Sequence, residues 1–193
     1  MREQEELNIK FIIQVDTMCH RLPHFIEKAG RAGVARVFIG LESINPDSLL
    51  GARKKQNKIT EYRKMLLAWK HAGVTVFAGY ILGFPADTPE SIIRDIKIIQ
   101  RELPIDLPEF HCLTPLPGSE DHLTLHKAGA YLDPDLKSTI SNTSSRPTMS
   151  TEQWEKAYQD AWTTYYTTEH METVMRRAVA TNSNPGKMLL LLT

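Results

Sequence analysis

The chain of 193 residues is poor in cysteine, in net charge and in long apolar runs. Its only cysteines are Cys19 and Cys112, which make no disulfide framework, so a reducing cytoplasmic location is expected. Lysine plus arginine equals aspartate plus glutamate at 23 each, so no bulk charge attracts nucleic acid or an anionic membrane. The run MLLLLT (188–193) is far shorter than the ~20 apolar residues of a transmembrane helix. We therefore expect a globular chain with no nucleic-acid partner and no membrane span.

Common catalytic and metal motifs are absent as well. The sequence contains no Walker A, G-x-S-x-G or H-E-x-x-H pattern. Cys19-His20 and His111-Cys112 have the residue types of a zinc site. However, neighbours on a strand point to opposite faces, so His111 and Cys112 are not expected to share a ligand sphere. We expect no metal site from these residues.

Four apolar runs alternate with segments of helical periodicity. The runs cover residues 9–16, 34–43, 74–85 and 106–119. This order predicts an α/β fold in which about four parallel strands form a partial (βα) TIM-like barrel, with functional groups at the carboxyl ends of the strands. Four strands leave two open sheet edges, so self-association through these edges is expected.

After the fourth run the chain becomes helical. Ser150 and Gln153 predict a capping box at the start of a long helix. Aromatic residues at helical spacing make either a stacking platform for nucleic acid or a face packed on the barrel, and the spacing favours the packed face. The chain thus divides into a partial barrel (1–120) and a C-terminal helical extension (121–193). The aromatic positions are Trp154, Tyr158, Trp162, Tyr165 and Tyr166.

Three motifs follow the second, third and fourth strands. GLES (40–43) provides Glu42 and Ser43 either as partners for ligand hydroxyls or amines, or as a structural glutamate and a helix-capping serine. GYILGFP (79–85) places glycines at a strand end. These glycines either let a flat ligand ring lie against the backbone or allow a tight turn from the strand into the loop. LTPLPGS (113–119) presents backbone groups to a ligand or forms a structural corner. The residue patterns alone do not decide between the two interpretations of each motif.

Taken in order, GLES, GYILGFPADTPESI and LTPLPGS resemble the radical S-adenosylmethionine (SAM) superfamily, and more narrowly its members with an N-terminal cobalamin-binding domain. The segment PTMSTEQWEKAYQDAWTTYY (147–166) is similar to the C-terminal extension of that group. The resemblance implies a partial (βα)6 barrel, of which residues 1–120 would be strands three to six. It also implies a [4Fe–4S] cluster, held by a C-x3-C-x2-C motif, that reductively cleaves SAM.

The resemblance further implies which residues contact SAM. Glu42 and Ser43 would contact the ribose, and Leu113 would offer backbone contacts to the adenine. The motif G-x-I-x-G-x-x-E matches GYILGFPA, and its isoleucine would lie against the adenine. Its final glutamate is replaced by alanine, with Asp87 beside it as a possible stand-in. The cofactor-binding residues implied in this way are Glu42, Ser43, Gly79, Ile81, Gly83 and Leu113.

The cluster motif is missing, and Cys19 and Cys112 do not replace it because three thiolates are needed at close spacing. We therefore expect a C-terminal fragment of a longer radical SAM enzyme, with no catalytic or metal-binding residues of its own. The parent would use SAM, a [4Fe–4S] cluster and possibly cobalamin on a small-molecule substrate, in radical chemistry or methylation. The fragment would supply part of the adenosine pocket and of the substrate wall, and would be inactive alone.

Two other hypotheses remain. One is a non-catalytic α/β module that assembles with another chain through its open sheet edges. The other is a flavin- or phosphate-binding barrel enzyme, which is disfavoured because no glycine-rich loop opens a helix as phosphate binding requires.

Overall fold

A computed structural model describes residues 9–51, 58–129, 149–181 and 185–192. Within them, four strands form one parallel sheet in which each strand lies beside its neighbour in the sequence. The predicted α/β class with a four-stranded parallel sheet is therefore confirmed. The strands are β1 (Phe11–Val15), β2 (Val34–Glu42), β3 (Thr75–Leu82) and β4 (Leu107–Cys112).

Helices follow each of the strands, as the sequence pattern predicts. A short 3-10 helix at Cys19–Arg21 precedes the first α-helix. In the described residues no helix is both long enough and apolar enough to cross a membrane. The α-helices are α1 (Phe25–Arg31), α2 (Pro46–Gly51), α3 (Ile59–His71), α4 (Pro89–Glu102), α5 (Glu120–Lys127), α6 (Thr151–Tyr165), α7 (Thr168–Ala180) and α8 (Pro185–Leu192).

The two faces of the sheet differ in burial. Alternate residues of β2 and β3 point to a helix-covered face, where they meet the apolar stripes of α3 and α4 in one core. The other alternate residues form what we call the inner face and, apart from the buried Gly79, those of the middle of these strands are only partly buried. The fully buried residues of the covered face include Val37, Ile39, Leu41, Val76, Ala78 and Leu82.

The C-terminal helices hold the fourth strand and the lower part of the inner face. Trp154 and Tyr165 of α6 are buried in the main core. Leu107 packs with Val174 of α7 and Met188 of α8 in a second cluster. The aromatic stripe of α6 is therefore a packed face, as its spacing predicts. The predicted capping box is also present, since the Ser150 hydroxyl accepts a hydrogen bond from the Gln153 amide at 3.2 Å.

The same helix, together with Tyr166 directly after it, covers part of the outer edge of β4. The Tyr166 hydroxyl donates to the Pro108 carbonyl at 2.8 Å, and the Tyr158 hydroxyl donates to the Phe110 carbonyl at 3.3 Å. Proline has no amide hydrogen to offer a further strand. Of the two sheet edges expected to be open, the β4 edge is thus partly sealed, because tyrosine hydroxyls replace the next strand.

A buried ion pair lies at the amino ends of the strands, a region that we call the base. Lys70 Nζ is 2.7 Å from Asp106 Oδ2, and the two side chains are 2% and 0% exposed. The same carboxylate accepts the Val76 amide at 2.8 Å. Nearby, Arg177 and Tyr165 both donate to the Ile105 carbonyl. These bonds join α3, β3, the approach to β4 and the C-terminal helices.

Candidate functional site

The carboxyl ends of the strands form a rim that carries the three motifs. At the end of β2 the register with β3 shifts between Gly40 and Glu42, which is a β-bulge. Glu42 has a φ of 65°, a left-handed conformation that is uncommon for a residue other than glycine. Its Oε1 atom lies 3.2 Å from the point that a Cβ on Gly40 would occupy. The carboxylate is therefore folded back over Gly40, on the inner face.

Ser43 is turned away from that face. It is 2% exposed, and its hydroxyl accepts a hydrogen bond from the Asn45 amide at 3.0 Å, just ahead of α2. The helix itself is capped by Asn45, whose carboxamide oxygen accepts the Asp47 amide at 3.0 Å. A ribose contact from Ser43 stays a prediction, and it would require the Ser43 hydroxyl to give up its bond with the Asn45 amide.

Gly79 makes room for two rings on the inner face. A Cβ at this position would lie 2.9 Å from Phe38 Cζ and 3.7 Å from His111 Cδ2. The Phe38 and His111 rings meet edge to face, with centroids 6.5 Å apart. The close neighbours of this glycine are thus side chains from the two adjacent strands.

Gly83 serves the turn that follows β3. Its φ is 95°, which suits glycine, and its amide donates to Asp87 Oδ2 at 2.8 Å. The same oxygen accepts the Phe84 amide, while Oδ1 accepts the Ser48 hydroxyl at 3.1 Å. Asp87 is 5% exposed. It therefore ties the loop after β3 to α2, and its carboxylate is committed to protein donors.

Ile81 and Leu113 complete the rim on the next two strands. Ile81 is half-buried on the inner face and is paired in register with His111. The Leu113 amide donates to the Leu82 carbonyl at 2.8 Å, which extends the pairing of β4 with β3 beyond the strand end. Because neighbouring strands lie about 4.8 Å apart, Glu42, Ile81 and Leu113 span roughly 10 Å of one rim.

A polar network under the rim was missed by sequence reasoning. The Tyr80 hydroxyl lies 3.5 Å from both Ser43 Oγ and Asp95 Oδ2, and it accepts the Ile44 amide at 3.4 Å. Burial raises the pKa of the Tyr80 hydroxyl and that of the Asp95 carboxyl, because the buried surroundings disfavour the charged form of each group. The strand alternation that puts Tyr80 on the covered face was the available signal.

The two cysteines do not fit an iron–sulfur cluster. Cys19 is 5% exposed and follows β1, whereas Cys112 ends β4, three strands away. Three strand spacings separate such positions by about 14 Å, far more than a cluster bridges. Among the residues that the structure describes, no group of three or more histidine, cysteine, aspartate or glutamate side chains is placed to hold a metal ion.

A separate cavity of about 690 Å³ lies away from the rim, between α1 and α3. Its wall includes Phe25, Ala68 and the histidines His20, His24 and His71. It shares none of the six implied SAM-binding residues. The rim therefore remains the candidate site, because it gathers the strand-end motifs.

The sheet order, the strand-end motifs and the helical extension define the class of fold. It is an α/β fold with a four-stranded parallel sheet and helices, consistent with a partial TIM-like fold of the radical SAM type.

Comparisons with known proteins agree with this class. No protein-family model matches the chain. The chain is 28% identical over 114 residues to bacteriochlorophyllide d C-12(1)-methyltransferase of Chlorobaculum tepidum. The match covers 59% of this chain and 25% of that protein, so the chain spans about a quarter of its relative's length.

Two solved structures share the fold. One is the radical SAM methyltransferase TsrM from Kitasatospora setae with cobalamin and a [4Fe–4S] cluster bound, which matches with a TM-score of 0.55 at 13% identity. That match covers 93% of this chain and 38% of TsrM. The other is archaeal Elp3 from Methanocaldococcus infernus, with a TM-score of 0.54 at 19% identity over 64% of this chain and 29% of Elp3.

Proposed function

We propose that this chain forms the adenosine-binding wall of a radical SAM enzyme of the methyltransferase type. The observation that carries the proposal is the convergence of Glu42, Ile81 and Leu113 on adjacent strand ends of one parallel rim. Support also comes from the methyltransferase relative and from the shared fold of TsrM, a SAM and cobalamin enzyme.

The rim has chemistry suited to an adenosine. The Glu42 carboxylate is an acceptor that hydroxyls of a ribose can donate to. Ile81 offers an apolar surface of the kind on which a flat base rests. Backbone carbonyls at a strand end are hydrogen-bond acceptors of the kind that an exocyclic amine can donate to. In this proposal Glu42 contacts the ribose, and Ile81 and the backbone at Leu113 contact the adenine.

The β-bulge and the left-handed Glu42 add a physical argument. Bulges occur often next to active sites, where they redirect a side chain. A non-glycine residue held at positive φ costs about 1 kcal/mol or more. Here the bulge brings the carboxylate over Gly40 instead of leaving it beyond the strand. That strain is consistent with selection for the position of the carboxylate.

The chemistry of SAM cleavage is not assigned to this chain. When bound in enzymes of this type, the cluster supplies the electron that cleaves SAM, and its thiolate ligands do not match Cys19 and Cys112. The residues present bind and orient the nucleoside end of the ligand. Methyl transfer, the small-molecule substrate and a cobalamin partner belong to the proposed longer enzyme.

The proposal is tested by binding to the intact chain. We expect adenosine and SAM to bind weakly, with Kd values of about 1 mM, since only one wall of a pocket is present. Amide chemical shifts should move at Glu42, Ile81, Gly83 and Leu113. Glu42→Gln should weaken binding about tenfold, through loss of a charge-assisted hydrogen bond.

The control for this experiment is Ile12→Ala, an exposed isoleucine on the inner face of β1. It should leave adenosine binding unchanged. Shifts confined to the cavity between α1 and α3 would contradict the proposal, as would micromolar SAM binding that survives Glu42→Gln.

A further inference from the structure

The backbone around Glu42 forms a tight turn at the end of β2. The Ser43 amide donates to the Leu41 carbonyl at 2.8 Å, a hydrogen bond between residues two apart. Glu42 lies between them with its φ of 65°. Together these features make a γ-turn with a positive central φ, which is the rare and strained form of this turn. Such a conformation persists only where the surrounding structure holds it in place.

The Tyr62 hydroxyl holds this turn from the side of α3. Its side chain is 1% exposed, and the hydroxyl donates to the Leu41 carbonyl at 2.9 Å while lying 3.4 Å from the Ser43 carbonyl. These two carbonyls flank Glu42. In an extended strand, carbonyls two residues apart are separated by about 6.6 Å, which is more than the two contacts can span together. The hydroxyl therefore fits the turn and not the extended chain.

The Tyr80 hydroxyl holds the same turn from β3. Tyr80 is paired with Glu42 across the bulge and is 4% exposed. Its hydroxyl accepts the Ile44 amide at 3.4 Å, where the chain leaves the turn. It also lies 3.5 Å from Asp95 Oδ2, to which it can donate its own hydrogen. One tyrosine thus contacts the carbonyls of the turn, and the other contacts the amide that follows it.

We propose that Tyr62 and Tyr80 are positioning residues, which hold the γ-turn and thereby keep the Glu42 carboxylate over the inner face, ready for a ribose. The ligand rests on the proposed function, whereas the hold on the turn rests on the hydrogen bonds described above. Both tyrosines are buried in the main core, while the carboxylate lies over Gly40. They therefore act on the ligand through the backbone of Glu42. Fixing a binding group before the ligand arrives lowers the entropic cost of binding.

The turn is tested first without a ligand, by NMR of the intact chain. Tyr62→Phe removes the hydroxyl and keeps the ring. The Ser43 amide should then exchange with solvent about tenfold faster, because the strained turn opens more often. The Gly40 amide shift should also move, since the carboxylate leaves its position over this residue. Tyr166→Phe is the matched control, because it takes a hydroxyl from the Pro108 carbonyl and should leave both signals unchanged.

A second background separates positioning from simple core packing. Glu42→Gly should keep the turn without help, because glycine adopts a positive φ without strain. In that background Tyr62→Phe should change the Ser43 exchange rate by less than about twofold. Faster exchange by the same factor in both backgrounds would overturn the proposal, because the hydroxyl would then stabilise the core and not the strained turn.

Adenosine binding is measured next on the same proteins. Tyr62→Phe and Tyr80→Phe should each weaken it about fivefold, although neither hydroxyl touches the ligand. Tyr166→Phe should leave it unchanged. Circular dichroism checks that each variant retains the fold, and Tyr80→Phe provides a second, independent variant.

The outcomes distinguish this inference from the proposed function. If Glu42→Gln weakens adenosine binding but the two tyrosine variants do not, the positioning role is wrong and the proposed function is supported. Unchanged Ser43 exchange and Gly40 shift in Tyr62→Phe would also overturn the positioning role. If Glu42→Gln leaves adenosine binding unchanged, the proposed function fails together with the ligand part of this inference, while faster Ser43 exchange in Tyr62→Phe still supports the hold on the turn.

Discussion

The rim and the base of this sheet are built on opposite principles. At the base, Lys70 and Asp106 form a fully buried ion pair. The Val76 amide donates to the same carboxylate, and side chains of the C-terminal helices donate to the Ile105 carbonyl. At the rim, Glu42 sits in a left-handed conformation and half-exposed side chains face the inner side. In barrel folds chemistry gathers at the carboxyl ends of strands, and the amino ends serve stability. Under the proposed function, the rim is the half of the molecule that tolerates backbone strain for the binding of a ligand.

The largest expected loss of stability comes from removing the Asp106 carboxylate at the base. Asp106→Ala leaves the Lys70 ammonium buried without its partner and takes the acceptor from the Val76 amide. We expect a loss of about 3–5 kcal/mol in the free energy of unfolding. Urea titration followed by circular dichroism measures it.

A matched pair of variants separates charge from packing at the base. Lys70→Met combined with Asp106→Leu removes both charges and should cost much less than Asp106→Ala alone, because no unpaired charge is left buried. If the single variant loses under 1 kcal/mol, the ion pair does not stabilise the base in the way described.

The next largest effect is expected under the rim, at Asp87. Asp87→Ala removes the acceptor for the Gly83 and Phe84 amides and for the Ser48 hydroxyl. We expect a loss of about 2–3 kcal/mol in unfolding free energy and a further weakening of adenosine binding, since the turn after β3 is released. Asp47→Ala is the control, because Asp47 is an exposed acid in the first turn of α2. Equal effects from the two variants would contradict the role of Asp87 in holding the turn after β3.

Much of the fold follows from the sequence because each apolar run is long enough for a buried strand and is followed by a helical stripe. The parallel order then predicts that Glu42, Ile81 and Leu113 share a rim, as they do. The directions of the side chains at the end of β2 were not predictable. The bulge at the end of β2 breaks the period-2 count, so Glu42 lies over the inner face and Ser43 is buried.

Contacts across strands were equally inaccessible to sequence patterns. The rings of Phe38 and His111 meet over Gly79 only through the register of three strands. The sealing of β4 depends on where α6 crosses the Pro108 and Phe110 carbonyls. Spacing along the helix predicts a packed aromatic face, but the atoms that its hydroxyls meet are set by tertiary structure.

A smaller effect at the base is a pH dependence from His170. This imidazole is 8% exposed, its Nε2 has no hydrogen-bond partner among the described residues, and burial lowers its pKa to about 4. The unfolded chain takes up a proton near pH 6.5, so stability is complete above that pH and falls as the pH drops toward 4. We expect a loss of about 2 kcal/mol between pH 7 and pH 4 from this group.

The measurement is a series of urea titrations across this pH range with His170→Phe as the comparison. Phenylalanine keeps the ring contact with Tyr165, whose centroid lies 4.6 Å from that of His170, and it does not titrate. The difference between the two stability curves isolates the histidine. Parallel curves for wild type and variant would show that His170 carries no such dependence.

The smallest expected change is at Glu42, and its sign is opposite to the others. Glu42→Gly removes a left-handed strain, so the unfolding free energy should rise by about 1 kcal/mol while adenosine binding falls. Glu42→Gln keeps the strain and removes the charge, so it should weaken binding without the gain in stability. A rim shaped for stability alone would show the reverse, with Glu42→Gly neutral or destabilising and binding unchanged. Urea titrations and adenosine titrations of the wild type, Glu42→Gly and Glu42→Gln therefore test whether the backbone strain at Glu42 serves ligand binding.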